Sequence, residues 1–137
     1  MNSLHHEADL AVLIGRFQPF HRGHAALLQR ALRTAPKVVV VLGSSFHARN
    51  SKNPFTWKER ELMICSTLTT DEQERVSFIA VRDYYDDKRW SATIQAKVQR
   101  SAPEAHSIAL IGHFKDASSY YLHRFPQWKL ITADKES

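Results

Sequence analysis

Residues 14–24 read Ile-Gly-Arg-Phe-Gln-Pro-Phe-His-Arg-Gly-His, and no other stretch constrains the fold of this chain so tightly. The apolar run Leu10–Ile14 stops at a glycine. Two histidines then flank a second glycine, and apolar residues begin to recur at helical spacing. That order describes a strand, a tight turn and the N-terminus of a helix. A helix start presents backbone N–H groups without intrahelical partners at the positive end of the peptide dipoles, so the junction suits a phosphate. Gly15 is expected to make the tight turn and Gly23 to let backbone approach a ligand. His21 and His24, three residues apart, are expected to face one ligand. There they would donate hydrogen bonds to phosphate oxygens or to charge developing on a departing pyrophosphate. Arg16 adds a permanent charge with fork geometry. Two histidines at this spacing are also half of a zinc site, but His47, His106 and His113 follow at spacings that form no ligand pattern.

Beyond this junction, apolar strands alternate with amphipathic helices. The pattern predicts strands over Leu10–Ile14, Lys37–Leu42, Val76–Val81, Ser107–Ile111 and Lys129–Thr132. Helices are expected from Gly23 to about Arg33, from Trp57 to about Leu68 and from Trp90 to Arg100, with a short one over Tyr120–Phe125. Thr56-Trp57-Lys58-Glu59 is a capping box that starts the second helix. The Val-Val-Val-Val-Leu run is apolar throughout, as expected of a strand covered on both faces. Strand and helix in alternation predict an α/β fold, a doubly wound, Rossmann-like, five-stranded parallel sheet with helices on both faces. Ligands in such sheets bind beyond the carboxyl ends of the strands. The loops Gly15–His24, Gly43–Phe55, Arg82–Trp90 and Gly112–Ser119 all fall there, which points to one shared site.

Composition sets the outer bounds. A length of 137 residues with 43% hydrophobic and 24% charged residues describes one folded domain. It is expected over residues 10–132, between a polar, frayed or tag-like segment at 1–9 and a tail at 133–137. No apolar run approaches the roughly 20 residues that span a bilayer, so no membrane association and a cytoplasmic location are expected. The single Cys65 excludes an intrachain disulfide and reads as a small core residue. A net charge of +5 fits an anionic ligand. The basic residues are scattered, and neither a recognition helix nor a stacking sheet is recognisable, so a small phosphate compound is expected rather than a nucleic acid.

At His21-Arg22-Gly23-His24 the chain resembles the nucleotidyltransferases that carry an HxGH motif. Its longer string resembles the archaeal-type nicotinamide mononucleotide (NMN) adenylyltransferases, in particular those fused to a Nudix hydrolase domain. The likeness continues in Asn53-Pro54-Phe55-Thr56 with Glu59-Arg60, in Asp83-Tyr84 followed by Trp90, and from Ile111-Gly112-His113 through Ser118-Ser119 to Trp128. The resemblance implies a nucleotidyltransferase fold and the reaction of ATP with NMN to give NAD and pyrophosphate. The Mg²⁺ would be carried by ATP rather than by a side-chain cage. His21, His24 and Arg16 are then the catalytic candidates. Gly15, Phe17, Gln18, Gly23, Gly112, His113, Lys115, Ser118 and Ser119 are expected around ATP. Ser44, Arg49, Asn53, Asp83, Tyr84 and Trp90 are expected around NMN, with Trp90 equally readable as core packing. Asp86 and Asp87 read as a helix cap and a solvated loop before they read as metal ligands. Arg60 reads as a surface residue of its helix.

Members of this family also carry a Ser/Thr-rich motif ending in arginine after the fifth strand, and this chain reaches Ala133–Ser137 before such a motif. The expectation is a piece of a longer, Nudix-fused protein, or a chain with weakened turnover. The alternatives are a same-fold transferase with another acceptor phosphate, or a nucleotide-binding sensor without turnover. A homo-oligomer is compatible with all of these.

Overall fold

The computed structural model describes residues 6–43, 45, 50, 51, 54–83, 86–113 and 124–132. Nine elements follow one another: β1 (Leu10–Gly15), α1 (Arg22–Thr34), β2 (Lys37–Leu42), α2 (Trp57–Cys65), α3 (Thr70–Arg75), β3 (Val76–Ala80), α4 (Asp87–Ser101), β4 (Ile108–Gly112) and β5 (Lys129–Thr132). The strands form one sheet in the order β3-β2-β1-β4-β5, every pairing parallel. The order reverses between β1 and β4, so the crevice expected to take a ligand opens where β1 leads into α1.

Successive strand residues point to opposite faces, and both faces are covered. On one side Ala11, Leu13, Val38, Val40, Leu42, Ala109 and Ile111 pack with Leu27, Leu28, Ala31 and Leu32 of α1 and Ile64 of α2. On the other, Leu10, Val12, Ile14, Val39, Val41 and Leu110 pack with Ile94 and Val98 of α4 and with Phe125 and Trp128. This accounts for the unbroken apolar reading of β1 and β2. Each fully buried leucine or isoleucine contributes about 1.5–3 kcal/mol of transfer free energy.

Two local expectations are corrected. The second helix ends at Cys65, not Leu68. Ser66 Oγ and Thr67 Oγ1 donate to the carbonyls of Met63 and Ile64, and Gln73 Nε2 donates to those of Cys65 and Leu68, so side chains take up the last carbonyls of the helix. A separate helix, α3, then starts at its own capping box, Thr69 with Glu72. The last residues of the polar N-terminus are also held in place. The amides of Glu7 and Ala8 donate to the carbonyl of Thr34, Ala8 is buried, and the Asp9 carboxylate accepts from the amides of His106 and Ser107.

Candidate active site

The β1–α1 junction is built around an aromatic prop. Phe17 has φ 52°, the left-handed region that costs a non-glycine residue about 1–2 kcal/mol. Its ring is 2% exposed and folds back under Gly15, where a Cβ would lie 2.7 Å from Phe17 Cζ. Gly15 therefore makes room for a ring. At this turn the left-handed conformation is taken by Phe17 and not by a glycine. The Phe17 ring meets His24 edge-on, with centroids 4.7 Å apart, and Phe20 stacks on His24 at 5.8 Å and lies 5.9 Å from Phe17. Contact between Phe17 and a ligand is thus left to its backbone.

His21 and His24 cap α1 for each other. The Gly23 amide donates to His21 Nδ1 at 3.1 Å, and the His21 amide donates to His24 Nδ1 at 3.1 Å. The two rings stack with centroids 3.6 Å apart and planes 22° apart. This is a capping box made of imidazoles, the geometry that serine and glutamate usually supply. A backbone N–H aimed at each Nδ1 fixes both rings in the tautomer that carries its proton on Nε2. Gly23 serves this arrangement, because a Cβ there would come within 3.1 Å of His21 Cε1. No acidic residue lies in the first turn of α1. The helix dipole, two Nε2–H donors and the exposed Arg16 and Arg22 give the junction a positive character.

Two side chains bind this junction to its neighbours. Gln18 Nε2 donates to the Phe55 carbonyl and Gln18 Oε1 accepts from the Phe55 amide, both at 3.0 Å, so its carboxamide braces the start of α2. Arg60, expected on the surface, is 1% exposed. Its Nη1 donates to the carbonyls of Arg16 and Gly43 at 2.6 and 2.7 Å, its Nη2 to Ser45 Oγ, and its Nε to the Thr56 carbonyl. Burial, and then the charge of Arg16, push the Arg60 guanidinium down from its ordinary pKa. The expectation failed because these partners lie up to 44 residues away, and nothing local marks the residue.

The other sites lie around the same sheet edge. Gly112 ends β4, buried and paired with Thr132, with His113 half-buried beside it. Asp83 is exposed after β3. Trp90 is half-buried in the first turn of α4, packed against the second core face and 5.8 Å from the Phe125 ring. Asp86 caps α4 by accepting from the amides of Lys88 and Arg89, and Asp87 pairs with Arg124 at 2.9 Å. Cys65 is half-buried, and burial raises its thiol pKa, as expected of an inert thiol. Ser44, Arg49, Asn53, Tyr84, Lys115, Ser118 and Ser119 lie outside the described residues. Among the described residues no three His, Cys, Asp or Glu side chains cluster as a metal cage, and no helix is long and apolar enough to cross a membrane.

A parallel sheet with a histidine-capped helix start at its switch point defines a nucleotide-binding α/β protein. The chain belongs to the cytidylyltransferase-like family, whose model matches residues 12–125. It is 41% identical over 131 residues to the nicotinamide/nicotinic acid mononucleotide adenylyltransferase of Acinetobacter baylyi, covering 94% of this chain and 70% of that protein. A nicotinamide-nucleotide adenylyltransferase of Thermoplasma volcanium is 36% identical over 86 residues, 63% of this chain and 48% of that one. Among solved structures, the bifunctional NMN adenylyltransferase/ADP ribose pyrophosphatase of Francisella tularensis, complexed with AMP and a manganese ion, superposes with a TM-score of 0.82 at 37% identity. That match covers 93% of this chain and 37% of the Francisella chain, so the chain spans only part of several relatives.

Proposed function

We propose that this domain transfers the adenylyl group of ATP to nicotinamide mononucleotide, giving NAD and pyrophosphate. An oxygen of the NMN phosphate attacks the α-phosphorus of ATP, and the bond to the bridging oxygen of pyrophosphate breaks in line with it. Such a step needs positioning and charge stabilisation rather than a protein nucleophile. The observation that carries the reading is the reciprocal histidine cap. It holds both imidazoles in one tautomer at a helix N-terminus, where their Nε2–H groups would donate to oxygens that gain charge as pyrophosphate leaves. Arg16 adds a fixed positive charge beside them, and the backbone of residues 15–18 and 23 shapes the cradle.

Gly112 and His113, with Lys115, Ser118 and Ser119, are assigned to the adenosine half of ATP. Ser44, Arg49, Asn53, Asp83, Tyr84 and Trp90 are assigned to NMN, where a tryptophan face suits a cationic pyridinium. The divalent ion is assigned to Mg²⁺ bound by the triphosphate. It lowers the charge repulsion between ATP and the incoming phosphate when bound. The likeness to the Francisella chain also supports a parent protein that carries a pyrophosphatase domain.

The test is pyrophosphate release from ATP and Mg²⁺ with NMN, nicotinate mononucleotide or phosphopantetheine as acceptor. Release with the pyridine nucleotides is expected. Release with phosphopantetheine alone would reassign the acceptor, and ATP binding without release from any acceptor would make the domain a sensor.

A further inference from the structure

Arg60 is a buried cation with no matching anion among the described residues. Three backbone carbonyls and one hydroxyl accept its N–H groups, and among the described residues no carboxylate pairs with it. Carbonyl dipoles satisfy the donors but leave the net charge in place. A buried ion normally carries a counter-charge, because desolvation costs several kcal/mol. The charge of Arg16, whose carbonyl Arg60 itself holds, acts on Arg60 as a second cation. The same guanidinium ties Arg16 to Gly43 and Ser45, joining the loops that leave β1 and β2. Ser45 is in turn locked, its amide donating to the Val81 carbonyl and its hydroxyl to the Leu42 carbonyl.

We propose that Arg60 is a positioning residue for the phosphate junction, and that its unmatched charge is completed by the phosphates of the bound nucleotide. The inference rests on the reading that this junction takes the triphosphate of ATP. Two properties of the guanidinium are needed. Its fork spans the Arg16 and Gly43 carbonyls together, which an ammonium reproduces poorly. Its charge lies where water is excluded, so it acts on a nearby anion with little screening. Arg16, His21 and His24 then meet the ligand from the surface, and Arg60 attracts it from the layer beneath.

ATP affinity by isothermal titration calorimetry, and turnover with NMN, separate the two properties. Arg60→Lys keeps charge and loses the fork. Its ATP Kd is expected within about threefold of the parent, while kcat falls about tenfold or more. Arg60→Met loses both, and its ATP Kd is expected to rise about tenfold or more. Circular dichroism at the assay temperature establishes which variants are folded. Arg60→Gln, uncharged but able to donate, replaces Arg60→Met if that variant does not fold. A folded uncharged variant that binds ATP as tightly as the parent overturns the inference, as does Arg60→Lys with the parent's kcat. If the parent chain binds ATP but forms no NAD from NMN, the adenylyl-transfer reading falls, while the ATP affinities of the uncharged variants still decide the role of Arg60.

Discussion

The two ends of the sheet are tied by similar means and differ in how their charges are matched. At the amino ends of the strands several ties join unlike charges or an acid to amides, while the half-buried Arg75 donates to the carbonyls of Leu32, Ala35 and Pro36. Asp9 accepts from His106 and Ser107, Lys37 pairs with Glu104, and Glu7 lies by Arg30 and Lys129. At the carboxyl ends of β1 and β2 the tie is Arg60, received among the described residues by carbonyls and a hydroxyl, at a junction that also carries a second arginine and two imidazoles. The first end is tied mostly by matched charges, and those ties contribute to holding the fold. The second carries Arg60 and Arg16 together, and an anionic ligand is proposed to complete their charge. Stability and binding are thus separated along the strand direction in a domain of 137 residues.

The sharpest way to break this contrast is His24→Ala. Loss of a donor to developing charge is expected to lower pyrophosphate release about 10²-fold or more. Stability should fall only by about 1–2 kcal/mol, the scale of a lost cap. Equal losses of melting temperature and of rate would move that histidine to the stabilising end of the comparison. Gly15→Ala comes next. Its Cβ would meet the buried Phe17 ring, and overpacking of this kind costs about 1–3 kcal/mol. Displacement of the ring also disturbs His24, so a raised ATP Kd is expected with the lowered melting temperature.

Asp9→Ala should do the reverse, lowering the melting temperature while kcat and Kd stay at parent values. Hydrogen bonds from His106 and Ser107 hold the Asp9 carboxyl below its ordinary value of 3.8. Its stabilisation is therefore complete above that value and is lost as the pH falls through the depressed one. The gap between parent and variant in thermal melts should be open at neutral pH and close in strong acid. The smallest effect is expected from Glu104→Gln. This exposed partner of Lys37 should leave the melting temperature within error, and a clear drop would mean that the surface pairs of this end act as a network.

The strands, α1 and the phosphate junction were legible because each leaves a local mark: an apolar run, a periodic stripe, a histidine–glycine string. The Thr69–Glu72 cap left such a mark too. The expected helix stopped at about Leu68, just before this cap, and overran its true end at Cys65 because Ser66, Thr67 and Gln73 capture carbonyls in ways that periodicity does not register. Asp9 and Arg60 were illegible for a different reason. Their partners lie 98 and 44 residues away, so an acid in a polar tail and an arginine after a capping glutamate looked like ordinary surface. Gly15 was expected for the tight turn it allows, and its neighbour adds a second requirement. Only the folded ring of Phe17 shows that missing volume is what the position requires.

That packing also limits how the sequence can drift. Residues 15 and 17 share one volume, so neither can be exchanged alone without either a clash or a void beneath the imidazole of residue 24. Substitutions in this corner of the domain should be inherited as pairs. A lineage that replaces the aromatic ring would first have to find another support for the histidine, and until then the glycine is kept by its neighbour rather than by the nucleotide.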